Sequence, residues 1–386
     1  MSALKSLRAA ASHARWHAHL PSRGVLAVEG RDARKLLQGL VTSDVTKLDE
    51  GPQYTGFLSL QGRVLLDAFL LPGPSGSVLV EAEHAALPEL ASHLSRYRLR
   101  SKVKVRDATD EYGVFAIAAA MHVAGEIGDG EAACDGGAWV DPRLPDLLGA
   151  RMLQPRSASP PDWLLNSHEV SDDLHHLLLL LLGVPNGAAQ LGPVGSALPL
   201  EANLEKLEGV SFRKGCYLGQ ELTARTHFRG VVRKRLAPVV DADFMPEPSD
   251  AAAADDVNGA FAHLAPLERR LAAAILDDAR PPNNPPQHDT SSTATSPQPE
   301  GDGDDDDGGE SESTSLIEVE SGKSAGRLRY MHPALGLGIA LMRTNLLEGG
   351  ATPLLTPPPS SGVPALRSYT PSWWHEPEEP AEEGED

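Results

Sequence analysis

Across residues 25–240, apolar and polar positions alternate in runs that switch between strand and helix spacing. VLAVEG (25–30) predicts a strand closing at Gly30. Asp32 then stands at the N-cap position of ARKLLQGLVT, whose Ala33, Leu36, Leu37 and Leu40 share one helical face. YTGFLSLQGRVLLDAFLL (54–71) predicts a hairpin that turns at Gln61-Gly62. SVLVEAE is a further strand, LPELASHLSRYRLR a helix and KVKVRDA a short alternating strand, while DEYGVFAIAA and ARMLQP add two more strands. Strands joined by hairpins and interleaved with helices predict an α+β body.

Beyond Val240 the pattern changes. Residues 279–315 are rich in Pro, Asn, Ser, Thr, Asp and Gly, and they carry too little apolar area to offset the entropy of ordering. HLAPLERRLAAAIL (263–276) has the spacing of one amphipathic helix. Alternation returns at LIEVESGKSAGRLRYMHPALGLGIALMR (316–343), where short strands are separated at Gly. These strands and FRGVVRKRLAPVV (228–240) predict one small β-domain interrupted by the insertion, which a surface connection tolerates because closure cost grows slowly with length. The run after Pro353 is expected to be mobile, apart from Trp373-Trp374 as a docking pair.

The predicted division has five parts: a leader (1–23), an α+β body (24–228), a β-domain (229–241 with 314–365), an acidic low-complexity insertion (242–313) and an acidic mobile tail (366–386). A chain of 386 residues holds two or three domains at about 100–200 residues each. Its net charge of -20 is largely local, because residues 300–312 hold 8 acidic side chains and residues 376–386 hold 7. The body is nearly balanced, which argues against a protein that coats nucleic acid. Two cysteines, Cys134 and Cys216, exclude a disulfide scaffold and a multi-cysteine zinc module, although one bridge between them stays open in an oxidising compartment. The longest apolar run, Leu177 to Leu182, is far short of the ~20 residues that a membrane helix needs, so no membrane insertion is expected. The first 23 residues are basic, rich in Ser and Ala and free of acidic residues. Two readings fit them, an organelle transit segment and a short basic extension ahead of the first strand.

The chemistry concentrates in residues 198–236, LPLEANLEKLEGVSFRKGCYLGQELTARTHFRGVVRKRL. Lys214-Gly215-Cys216-Tyr217-Leu218-Gly219-Gln220-Glu221 sets a thiol between two glycines, with Arg213 and Lys214 as cations that favour the thiolate. Gly215 and Gly219 allow close backbone approach, and Gln220 and Glu221 offer polar groups to a ligand. The plainer alternative is a small buried cysteine beside a turn. Other signals fail. Gly322-Lys323-Ser324 lacks the first glycine of a phosphate loop, because Ile317 stands there. Leu335-Gly336-Leu337-Gly338 lacks the third glycine of a dinucleotide site. His13 with His17 falls in the leader, and His175-His176 reads as helix surface. The Asp302–Asp307 run lacks the closing glutamate of a calcium loop.

The 198–236 segment closely resembles the signature of the glycine-cleavage T-protein-like, folate-binding family, in the branch that acts in mitochondrial iron–sulfur cluster assembly. KGCYLGQE and TART stand unbroken, and GRDARKLLQGLVTSDV, the hairpin, LSRYRLRSKV, DPRLPDLLGAR, GVPNG and GKSAGR follow in the family's order. The match covers roughly 24–240 and 316–345. The resemblance implies a T-protein-like multi-domain fold around a central channel, with a small C-terminal β-barrel-like domain. It implies a matrix-located assembly factor, more a helper than an enzyme, whose Cys216 shares a [2Fe–2S] or [4Fe–4S] cluster with an A-type scaffold for client [4Fe–4S] enzymes. It implies the transit reading of the leader. Tetrahydrofolate is the cofactor of the related transferases, and Asp67, Glu201 and Arg225 stand at the corresponding positions. The alternative is therefore a tetrahydrofolate-dependent aminomethyl transferase. Against it, Ala68 replaces the second of a paired Asp-Asp, Asn186 replaces a turn carboxylate, and DDLHHLLLLLL lacks the family's arginine.

Overall fold

The computed structural model describes residues 16–117, 137–244, 314–332, 336–348 and 351–374. The 263–276 helix, most of the insertion, Cys134, His13 and the last twelve residues lie outside the described residues.

Ten strands build the body: β1 (Trp16–His19), β2 (Arg23–Glu29), β3 (Gln53–Leu58), β4 (Val64–Pro72), β5 (Val78–Glu83), β6 (Lys104–Asp107), β7 (Tyr112–Ile117), β8 (Ala138–Val140), β9 (Ala150–Pro155) and β10 (His168–Val170). One antiparallel sheet runs β3-β4-β5-β2-β6, and a second runs β10-β1-β7-β9-β8 with only the β1/β10 pair parallel. The unbroken apolar run of β2 follows from its position between two cores. Leu26 and Val28 enter a cluster under helices Ala33–Gln38 and Leu87–Arg98, while Val25 and Ala27 enter the cluster shared with the second sheet. The same alternation turns Asp67 and Phe69 of β4, and Glu81 of β5, to the side of the second sheet.

The C-terminal module is a closed barrel of β11 (Lys234–Asp241), β12 (Ser315–Glu318), β13 (Ser324–Met331), β14 (Leu337–Arg343), β15 (Leu354–Thr356) and β16 (Leu366–Ser368), in the order β11-β14-β13-β12-β15-β16. Ala237, Val239, Ala340 and Met342 fill its interior. The alternate residues Leu236, Val240, Ile339 and Leu341 join the body core with helix Asp172–Leu182. The leucine run is apolar on every side because it packs between body and barrel. Among the described residues no helix is long and apolar enough to cross a membrane.

Several expectations change. The folded body starts earlier than residue 24, because β1 pairs with both β7 and β10 and buries Trp16, Ala18 and Leu20. His17 therefore belongs to this strand, with Nδ1 at 2.7 Å from the Ser167 hydroxyl. Nor is the chain after Pro353 loose down to Trp374. β15 and β16 close the barrel, Tyr369 donates to the Leu181 carbonyl at 2.6 Å and Trp373 to that of Leu182 at 2.7 Å. The boundary at 366 accordingly moves beyond Trp374. FRGVVRKRLAPVV begins not as strand but as the end of helix Gln220–Arg229. The helix after Asp32 stops at Gln38, and the Asp32 carboxylate caps nothing there; it accepts from the Lys102 amide at 2.7 Å. His175 is buried rather than on the helix surface, and burial next to Arg151 and Arg143 holds its imidazole well below the ordinary value.

Candidate functional site

The segment 211–219 lies along the chain that follows helix Ala33–Gln38. The Ser211 amide donates to Thr42 O at 2.9 Å, and that of Leu218 to Gly39 O at 2.9 Å. Between these ties, Lys214 Nζ donates to Val41 O at 2.7 Å and Ser43 O at 2.6 Å, and it lies 5.1 Å from the centre of the Tyr217 ring. Tyr217 is buried, and desolvation pushes its phenol up to about 12. With Lys214 and Tyr217 held inward, Cys216 is left exposed as a free thiol.

The turn into helix Gln220–Arg229 is held from both ends. The Gln220 carboxamide oxygen accepts from the Tyr217 amide at 3.1 Å. Gly219 adopts φ +77, and a Cβ there would stand 2.4 Å from Ser59 O and 3.0 Å from Gly62 Cα. The Cys216 loop thus rests on the β3–β4 hairpin turn, and only glycine fits the contact. A Cβ added at Gly215 would meet nothing within 4 Å, so the expected close approach holds at Gly219 and not at Gly215. The expectation for Lys214 also changes, since its ammonium braces the loop on two carbonyls. Burial lowers it to about 8, against the pull of Asp44. Arg213 and Glu221 are exposed.

That depressed value has a testable sign. Between about 8 and the ordinary lysine value of 10.5 the unfolded chain holds a proton that the folded chain has released, so rising pH favours the folded state. The wild type should gain stability over Lys214→Met across that window, measured by urea unfolding at several pH values. Parallel curves for the two proteins would contradict the buried ammonium.

The three positions expected for folate have different settings. Asp67 is 1% exposed, and its carboxylate accepts from Tyr54 Oη at 3.2 Å and the Gly187 amide at 3.3 Å. A ligand reaching it would have to displace the Tyr54 hydroxyl. Glu201 is half-buried, and desolvation raises its carboxyl against the pull of Lys234, Arg63 and Arg329. Arg225 is exposed on helix Gln220–Arg229. Among the described residues no hydrogen bond or ion pair joins the three to each other or to Cys216. Both carboxylate oxygens of Asp67 already accept from protein donors in a nearly solvent-free setting, so the site as it stands does not fit a pterin. Among the described residues no group of three or more His, Cys, Asp or Glu could hold a metal ion.

No family model matches the chain. A protein of Cryptococcus neoformans var. neoformans, "Iron-sulfur cluster assembly factor IBA57 homolog, mitochondrial", is 32% identical over 372 residues, covering 86% of this chain and 84% of its own length. The chain belongs to this family of mitochondrial iron–sulfur cluster assembly factors. Identically named relatives are 37% identical over 272 residues in Mycosarcoma maydis and 38% over 236 residues in Neurospora crassa, with 64% and 57% of this chain covered. This chain spans 62% and 52% of the length of those two relatives. The crystal structure of glycine cleavage system aminomethyltransferase T from Bartonella henselae superimposes with TM-score 0.58 at 12% identity, covering 95% of this chain and 88% of that one. At that identity the likeness is one of fold, and it bears out the T-protein-like α+β body with its terminal barrel.

In this member of the family, the sequence did not reveal a buried charge network between the two sheets. Glu81 accepts from Arg23 Nε at 2.7 Å and Arg151 Nη2 at 2.5 Å, and Arg143 pairs with Asp141 at 2.7 Å, all nearly solvent-free. The Arg151 and Arg143 guanidiniums lie 4.4 Å and 4.9 Å from the centre of the Phe69 ring. Burial alone would raise the Glu81 carboxyl, yet Arg151 and Arg23 outweigh it and hold it below the usual range. Asn186, in the turn where the family carries a carboxylate, accepts from Arg23 Nη1 at 3.2 Å. The available signal was an acid inside each apolar run: Asp67 in VLLDAFLL and Glu81 in VLVEA.

Proposed function

We propose that this chain works in the mitochondrial matrix as an assembly factor for [4Fe–4S] enzymes. In this reading Cys216 gives one thiolate to a cluster held jointly with an A-type scaffold. The observation that carries the proposal is the exposed, free thiol of a loop that Lys214 and Tyr217 hold in place on either side. A thiolate on the surface can donate to iron; one sealed in apolar packing cannot. A single thiolate leaves most of a four-thiolate shell to be supplied elsewhere, which is why a partner is required and why the cluster is cargo rather than a resident group. The relatives named as mitochondrial assembly factors support both the role and the compartment.

The transferase reading has the fold likeness and the raised Glu201 carboxyl in its favour. Ala68, fully buried beside an enclosed Asp67, leaves it without the second carboxylate for proton handling. Anaerobic mixing with a scaffold carrying a [2Fe–2S] cluster separates the two. Wild type should form a coloured complex that survives size-exclusion chromatography, and Cys216→Ala should lose it at least about tenfold with unchanged melting. Equal complex formation by the two proteins would remove the thiol from the mechanism.

A further inference from the structure

We propose that the partner docks on a cationic, apolar-studded face built by helix Gln220–Arg229 and the β3–β4 hairpin turn beside Cys216, and that it presents an acidic rim around an apolar socket. This rests on the cluster-sharing reading above and names the surface that serves it.

Three large apolar side chains on this face are exposed: Leu60 at 68%, Phe228 at 67% and Val231 at 77%. Leu60 sits in the hairpin turn whose Gly62 meets Gly219 and Leu222, so the turn flanks the start of the helix. Phe228 and Val231 lie at its far end, about 15 Å away at 1.5 Å per residue over ten residues. The Phe212 ring, four residues before the thiol, stacks on His227 at 3.6 Å, and both rings meet Phe228 edge-on at 6.0 Å and 4.8 Å. The aromatic trio is therefore preset, with Phe228 outward. Phe228, held by its two ring neighbours beside the exposed Val231, is an aromatic anchor of the kind that contact surfaces use.

The charge around it has one dominant sign. Arg213, Arg225, Arg229 and Arg233 are all exposed, and among the described residues none forms an ion pair. Glu221 is the one exposed acid between Phe212 and Arg235. In a chain of net charge -20 this local excess of cations stands out. A thiolate-ligated cluster is anionic, so an acidic protein carrying one complements the face in both charge and cargo. Free nucleic acid is the rival occupant, because Phe228 also offers a ring to a base; the exposed aliphatic Leu60 and Val231 favour a protein.

The test measures anaerobic binding of the full chain to an A-type scaffold loaded with a [2Fe–2S] cluster. It is run at about 0.1 M and about 1 M salt, between which the screening length falls from about 10 Å to about 3 Å. The triple variant Arg225→Glu/Arg229→Glu/Arg233→Glu should bind at least about tenfold more weakly at low salt, with the gap narrowing at high salt. Phe228→Ala/Val231→Ser should lose about tenfold at both salt concentrations. Unchanged melting of each variant checks the fold. Wild-type affinity in both variants, with binding lost only in Cys216→Ser, would overturn the docking face and leave the thiol reading standing. Loss in both variants with Cys216→Ser still bound would support the face and sink the thiol. Tighter wild-type binding to a mixed-sequence single-stranded RNA than to the scaffold, lost in the same variants, would also overturn the proposal.

Discussion

Replacing Glu81 by alanine is expected to destabilise the fold by about 3–5 kcal/mol, a large share of the roughly 5–15 kcal/mol that holds a typical domain together. Glu81 is fully buried, and both of its arginine partners are at most 4% exposed. Arg23 and Arg151 cannot shed their charge, so removing the carboxylate strands two guanidiniums in a nearly solvent-inaccessible interior. The residual contacts are weak: Arg23 keeps Asn186 at 3.2 Å and the residue-81 carbonyl at 3.4 Å, and Arg151 keeps Asp141 at 3.9 Å and the Phe69 ring at 4.4 Å. Chemical unfolding measures the loss, and a variant within about 1 kcal/mol of wild type would show that the network is not holding the sheets together. Glu81→Gln should fall between the two, because it keeps an acceptor oxygen and loses the charge. The acid limb carries the same information. The Glu81 carboxyl is held below its ordinary 4.5, so its contribution is complete above that value and is lost as pH falls further. The acid-induced loss of stability should be shallower in Glu81→Gln.

Gly219→Ala is expected to damage function more selectively. Left-handed backbone costs a side-chain-bearing residue about 1–2 kcal/mol, and the 2.4 Å approach of its Cβ to Ser59 O adds about 1–3 kcal/mol of overpacking. The contact is with backbone, so no side-chain rotation relieves it. Relief requires the Cys216 loop to lift from the hairpin turn, which moves the thiol and the start of helix Gln220–Arg229 together. The expected result is a melting temperature lowered by several degrees and complex formation with the loaded scaffold reduced at least about tenfold. Gly215→Ala is the control for stability, because a Cβ there meets nothing within 4 Å, and it should melt as wild type. Equal melting of the two alanine variants would show that the loop's seat on the hairpin is unimportant.

Much of this arrangement was legible in the sequence where it is local. The Gln61-Gly62 turn, the helix at Leu87–Arg98 and the strand at Val78–Glu83 stand where spacing and turn residues place them. The thiol loop was legible because its residues are consecutive. What escaped is non-local. WHAH at the start of β1 has the composition of a leader and becomes a strand only through β7 and β10, which lie about 100 and 150 residues further on. β15 and β16 are three residues each and carry no periodicity of their own. The charge network draws Arg23, Glu81 and Arg151 from two sheets and Asp141 and Arg143 from the turn after β8, so no window of sequence contains it. DPRLPDLLGAR held three of its members in plain view, but the direction of their side chains depends on a strand register that sequence spacing does not supply.

The split barrel also has a consequence for how the protein is made. β11 pairs with β14 and β16, and the nearer of these begins almost 100 residues after β11 ends. At about 5–20 residues per second of translation, LAPVV emerges from the ribosome roughly 5–20 s before any strand exists to pair with it. During that interval its Leu236 and Val240 can already settle on the nascent body, whereas Ala237 and Val239 have nothing to face. The finished body thus doubles as a temporary cradle for the first stave of a barrel whose remaining staves are still being synthesised.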